Sequence, residues 1–120
     1  MKTVPALLAV AALAGCGSDD EQRRAQPAAK GDPGLKVWAA MGCGSCHTFA
    51  PAGATATIGP NLANSLGGRN RAYIRQSIVT PNAKVYGGGR SIMPEGFAKR
   101  MSKPELDALV EFIARGVRSH

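Results

Sequence analysis

Cys43, Cys46 and His47 stand together in the run Cys43-Gly44-Ser45-Cys46-His47, and no other stretch of the chain concentrates so much reactive chemistry. Two thiols two residues apart, followed directly by an imidazole, form the attachment signature of a c-type haem. Each thiol can add to one vinyl group of the macrocycle, and two intervening residues let both sulfurs reach one edge of it. The next residue, His47, is carried over the ring face, where an imidazole nitrogen can bind iron. The expected cofactor is therefore one covalently bound haem c, with Cys43 and Cys46 as thioethers and His47 as an axial ligand.

The rest of the chain must hold that group. It has 120 residues, enough for one small domain, with one Trp, two Tyr and three Phe. A domain of this size struggles to bury enough apolar surface alone and commonly needs a covalent or cofactor staple. The formal net charge is +7, and from Asp32 onward eleven Lys or Arg face five Asp or Glu. Such an excess suits docking onto acidic partner surfaces. The basic residues are not interleaved with aromatics and no nucleic-acid motif is present, so nucleic acid is not an expected partner.

Cys16 is the third cysteine and needs its own explanation. Lys2 gives a positive start, and Val4 to Gly15 is apolar or small apart from Pro5. The run is too short to span a bilayer and has the length and flank of a secretory signal. Its end, Leu13-Ala14-Gly15-Cys16, resembles the lipobox of bacterial lipoproteins, in which the signal is cut before the cysteine and that cysteine is acylated. Residues 1–15 are thus expected to be a lipoprotein signal peptide. Residues 16–31 would be the lipidated Cys16 and a flexible tether, polar and without hydrophobic periodicity. As a coil the tether would span on the order of 20 Å. Several acyl chains would hold the protein stably to a membrane.

Residues 32–120 read as one domain. Asp32-Pro33 suits the N-cap and first position of a helix, with Leu35, Trp38 and Met41 on one face and Gly42 ending it. Thr48 to Arg69 shows no period and reads as a long loop, which in a small domain is usually functional. Asn70 can cap a second helix to about Val79, with Tyr73, Ile74 and Ile78 inward. Pro81 to Gly96 is a second loop, containing Gly87, Gly88 and Gly89. Ser102 and Glu105 form a capping box, and Met101 can staple to Leu106. Leu106, Leu109, Val110 and Ile113 make the clearest helical face, with Gly116 expected as its stop. No strand pattern of any length is visible.

With these residues in place, the chain resembles the class I, mono-haem c-type cytochromes over roughly Asp32 to Gly116. A helix bearing Trp38 precedes the Cys-x-x-Cys-His run. Ile58-Gly59-Pro60-Asn61-Leu62 is similar to the segment passing beside the proximal histidine, and Ile92-Met93-Pro94 to the segment carrying the distal ligand. Tyr73 to Ile78, followed by Pro81-Asn82-Ala83, also resembles the cytochrome c domain of bacterial oxidase subunit II, without that subunit's copper-binding cluster. The resemblance implies an all-α, small cytochrome c fold: three to four helices and long loops wrapped around one covalent haem. It implies Met93 as the second axial ligand and the Pro60 carbonyl as partner of the other His47 ring nitrogen. Met41 lies too close to the attachment site to reach the far haem face, and Met101 has a packing role. Arg69 and Tyr86 are candidate propionate contacts.

The implied function is a membrane-tethered carrier of single electrons between respiratory or photosynthetic redox partners outside the cytoplasm. It would act as a monomer or complex subunit rather than as an enzyme. Arg71, Arg75, Lys84, Arg90, Lys99 and Arg100 are candidate docking groups for acidic donor and acceptor proteins. Two alternatives use the same residues. A haem-based ligand sensor or peroxidase-like protein needs a labile distal site in place of a stable Met93. A thiol–disulfide oxidoreductase using Cys43 and Cys46 needs a βαβ context, and none is legible. A zinc module has only Cys43, Cys46 and His47 clustered.

Overall fold

Asp32 opens the first described helix as a true cap. In a computed structural model describing residues 31–118, Asp32 Oδ1 accepts the Gly34 and Leu35 N–H groups at 2.8 and 3.1 Å. Helix α1, Pro33–Met41, follows, with proline in its first turn, and closes on Gly42 in the left-handed region (φ 71°). The expected signal segment, Cys16 and the tether through residue 30 lie outside the described residues.

Three more helices follow among the described residues: α2, Leu62–Leu66; α3, Arg71–Val79; and α4, Lys103–Val117. The described residues are mostly helical with little strand, as a small all-α cytochrome c fold requires. Asn61 and Asn70 cap α2 and α3 through their side-chain oxygens. At α4 the capping box forms as expected: Ser102 Oγ takes the Glu105 N–H at 3.3 Å, and the Ser102 N–H donates to Glu105 Oε2 at 2.7 Å. Each reciprocal bond satisfies a donor that the helix start would otherwise orphan.

Two expectations are corrected here. The stretch from Thr48 to Arg69 is not one loop. It holds α2 and a short antiparallel ladder, β1 (Thr48–Phe49) against β2 (Ala54–Thr55), with Thr48 opposite Thr55. The ladder seats Phe49, which is fully buried. Gly116, read as a helix stop, lies inside α4 and is buried. A Cβ there would collide with the Phe49 ring and come within 2.7 Å of Pro51 Cγ. Its small size admits the β1 turn rather than ending the helix.

Helix α4 is the spine on which the other helices pack, α1 most extensively. The core joins Trp38 of α1, Phe49 of β1 and Phe112 of α4, with ring centroids 5.2 to 6.1 Å apart. The tilted and edge-on arrangements are the ones that ring quadrupoles favour. The buried face of α1 is Gly34, Val37 and Trp38, whereas Leu35 and Met41 are only partly covered. Gly34 explains the shift, since its missing side chain lets α4 close against the α1 backbone. Arg71 pairs with Glu111 and Arg75 with Asp107, linking α3 to α4, and Arg115 pairs with Asp32 at the α1 cap. The Arg71 hydrogen bond holds the Glu111 carboxyl below its ordinary range, and those of Lys103 and then Arg75 do the same for Asp107.

The helix crossing gives a direct test. A Cβ at Gly34 would overlap Phe112 Cβ and the Ala108 carbonyl, atoms that no rotamer change can move. Overlaps this deep on backbone and Cβ atoms should cost about 3 kcal/mol, the upper part of the usual overpacking range. Alanine ordinarily improves on glycine inside a helix by roughly 0.8–1 kcal/mol, so Gly34→Ala should lower stability by about 2 kcal/mol. The midpoint of chemical unfolding of the haem-loaded protein reads it, and an unchanged or higher midpoint would contradict the close crossing.

Candidate functional site

The attachment run is folded by its own backbone. After the Gly42 cap, Cys43–Ser45 forms a single 3-10 turn. The Cys46 and His47 N–H groups both donate to the Cys43 carbonyl, at 3.3 and 3.1 Å. Gly44 fits under α1, where a Cβ would meet the Trp38 indole nitrogen at 3.1 Å and Ala54 Cβ at 3.3 Å. The turn places Cys43, Cys46 and His47 in the wall of one cavity of about 420 Å³, within the roughly 300–1,000 Å³ typical of cofactor pockets.

A second segment clamps the first. The Gly59 N–H donates to the Cys46 carbonyl at 2.6 Å, and His47 Nδ1 lies 2.8 Å from the Pro60 carbonyl oxygen. A carbonyl oxygen can only accept, so Nδ1 carries the proton and Nε2 keeps its lone pair. A hydrogen bond of this kind fixes the ring and raises its basicity as a ligand. Gly59 lets the backbone lie against the imidazole, since a Cβ there would come within 2.7 Å of Cε1 and 2.8 Å of Nδ1.

The far part of the lining comes from α3, α4 and the long segment between them. Ile74 and Ile78 of α3, with Leu109 and Ile113 of α4, supply an apolar floor. The connecting segment brings Tyr86 and Met93 to the same cavity. Ile58, Tyr86 and Ile92 are strongly exposed, at 66 %, 61 % and 77 %, and all three line the cavity. Large apolar side chains so grouped mark a binding surface. The donor set fits a haem: two thiols and an imidazole on one local turn, a thioether on another segment, and an apolar surround.

Cys43 and Cys46 are both half-buried in the cavity wall. Burial pushes the Cys43 thiol up to about 11, against smaller opposing effects of a backbone hydrogen bond and Arg100.

Of the residues expected from sequence, the structure gathers Cys43, Cys46, His47, Pro60, Tyr86 and Met93 around one cavity. Arg69 is not in the lining. Its guanidinium lies 4.7 Å over the Tyr73 ring, and Tyr73 itself faces the cavity. Lys84 and Arg90, grouped from sequence only as docking charges, do line it. Arg71 and Arg75 are engaged with α4 carboxylates. Met101, expected only to pack, lines the cavity as well, as does Met41. Which methionines share a wall depends on how distant segments fold together, and no local pattern reports it.

A family model described as Cytochrome c matches residues 31–116. No match is found among curated proteins or among solved structures.

Proposed function

The chain belongs to the cytochrome c family, and on that premise we propose that it carries single electrons between membrane redox partners while tethered by Cys16. The family makes it a haem-based electron carrier with covalently bound haem c, and Cys43, Cys46 and His47 fit the attachment motif. The observation that carries the proposal is the joint placement of Cys43, Cys46, His47 and Met93 on one cavity, with the His47 ring oriented by Pro60.

When bound, haem supplies an iron couple whose two states differ by one electron. Cys43 and Cys46 would hold it through thioethers. His47 Nε2 would be one axial ligand, its proton kept on Nδ1 by the Pro60 carbonyl. The Met93 thioether would be the other, and the Met/His pair raises the potential. With both axial positions filled, the protein's task reduces to holding the ligands still and presenting the cofactor edge.

Lys84 and Arg90 lie in the cavity lining, and Arg100 is close enough to Cys43 to affect its thiol. These cations favour an acidic partner surface, as does the net charge of +7. The reduced protein should be oxidised by anionic ferricyanide at a rate that falls with added salt, since screening acts over about 10 Å at 0.1 M. A cationic cobalt complex should show the opposite trend. Reversing Lys84 or Arg90 singly to Glu should flatten both slopes more than reversing Lys36 to Glu, the same change of charge at a residue outside the lining. Equal flattening would assign the effect to net charge alone.

Among the described residues no helix is long and apolar enough to cross a membrane. Membrane attachment is proposed instead from the lipobox-like Leu13-Ala14-Gly15-Cys16. The native protein should partition into detergent with a mass that places acyl chains on an N-terminal Cys16. Cys16→Ala should abolish that partition and leave the haem spectrum unchanged. A fully aqueous native protein with an unmodified amino terminus would contradict the anchor and spare the carrier.

A further inference from the structure

The segment carrying Met93 has little to hold it. Between Thr80 and Gly96 it contains no helix or strand. Gly87, Gly88 and Gly89 all have φ near +80°, and apart from their immediate chain neighbours no atom lies within 4 Å of where a Cβ on any of them would sit. Such a stretch has many alternative conformations, and confining it costs backbone entropy. A thioether delivered from it needs an anchor within the segment itself.

The geometry points to Asn82 as that anchor, and we propose that it is the positioning residue for Met93. The Asn82 side chain bridges the base of the loop in two directions. Its Oδ1 accepts the Ser91 N–H at 3.1 Å, and its Nδ2 donates to Glu95 Oε1 at 2.8 Å. Ser91 extends the staple, because its Oγ accepts the Met93 N–H at 3.1 Å. The first bond closes the glycine stretch into a loop of its own. The second and third fix the residues on either side of Met93. A carboxamide suits this position because it offers an acceptor and a donor at once. Aspartate would keep the acceptor but set a second carboxylate against Glu95. The staple thus determines how often Met93 leaves its place, and with it how closed the distal position stays.

This inference rests on the reading of Met93 as axial ligand, and the experiment separates the two. In the ferric holoprotein, excess imidazole competes with Met93, and at saturation its binding rate is limited by Met93 release. Asn82→Ala should raise that limiting rate about three- to tenfold, the effect of losing one or two exposed hydrogen bonds. It should also lower the temperature at which the near-infrared sulfur–iron band disappears, with far-ultraviolet helix melting shifted less. Glu95→Gln keeps an acceptor for Asn82 Nδ2 and should behave as wild type, whereas Glu95→Ala should not. A wild-type limiting rate in Asn82→Ala, with the band retained, would overturn the staple and leave Met93 as ligand. A wild-type protein without the band, binding imidazole no faster after Met93→Ala, would remove the ligand reading and the staple with it. Should Asn82→Ala fail to take up haem, Ser91→Ala and Glu95→Ala each remove one bond, and wild-type rates in both would overturn the proposal.

Discussion

Met93→Ala is expected to abolish the near-infrared sulfur–iron band of the oxidised protein, lower its potential and open the reduced iron to carbon monoxide. The shift should be on the order of 0.1 V or more, within the roughly 0.8 V that axial ligation spans. The cause is loss of a soft thioether, which in a Met/His pair raises the potential. Met41 and Met101 line the same cavity and are the necessary controls. Met41 ends the helix that runs into the attachment turn, and Met101 directly precedes the α4 N-cap. Both are therefore held by neighbouring regular structure near their own segments, whereas Met93 sits on a loop with glycines on both sides. Met101→Ala should leave the band and the potential close to wild type. If Met101→Ala abolishes the band and Met93→Ala does not, the distal assignment passes to Met101.

The second large effect concerns attachment. Replacing Cys43 and Cys46 together by Ser keeps the size of both side chains but removes the sulfur that adds to a vinyl group. Acid–acetone should then extract essentially all haem from the variant and almost none from wild type. Each single replacement should leave one thioether and an asymmetric reduced spectrum. Loss of attachment also threatens the fold. Ile58, Tyr86 and Ile92 surround the cavity as exposed apolar side chains, and in a domain this small the apolar surface that a haem covers is a sizeable part of what holds the fold. Helix content of the double variant should fall once haem is removed. Haem that stays bound through extraction in the double variant would mean that attachment does not run through these cysteines.

The parts of this molecule that were legible in sequence are those whose causes are local. Asp32-Pro33 and Gly42 bracket α1 because capping uses residues two to three positions apart. Ser102 and Glu105 mark the start of α4 for the same reason. The Cys43–His47 spacing is legible because a single turn fixes the geometry of all three donors. Helix α2 was hidden because five residues are too few to show a period, and its Leu62 and Leu66 are buried in the common core, with α4 as the helix's main packing partner. The β1–β2 ladder was hidden because two-residue strands have no alternation to detect. It is supported by the Thr48 hydroxyl donating to the Ala56 carbonyl and by the buried Phe49 ring. Gly116 looked like a stop because glycine so often follows a helix, but here it admits a ring from another element. Arg69 and Lys84 carry the same charge in sequence. Only the fold stacks one on Tyr73 and sets the other in the cavity wall.

The absorbance spectrum of the reduced holoprotein, recorded before and after carbon monoxide is admitted, tests the central claim most directly. An electron carrier with His47 and Met93 both bound should show sharp c-type bands that carbon monoxide does not move. Bands that shift promptly in carbon monoxide would reveal an open axial position and contradict the carrier assignment in favour of ligand binding. The absence of c-type bands would contradict the cofactor itself.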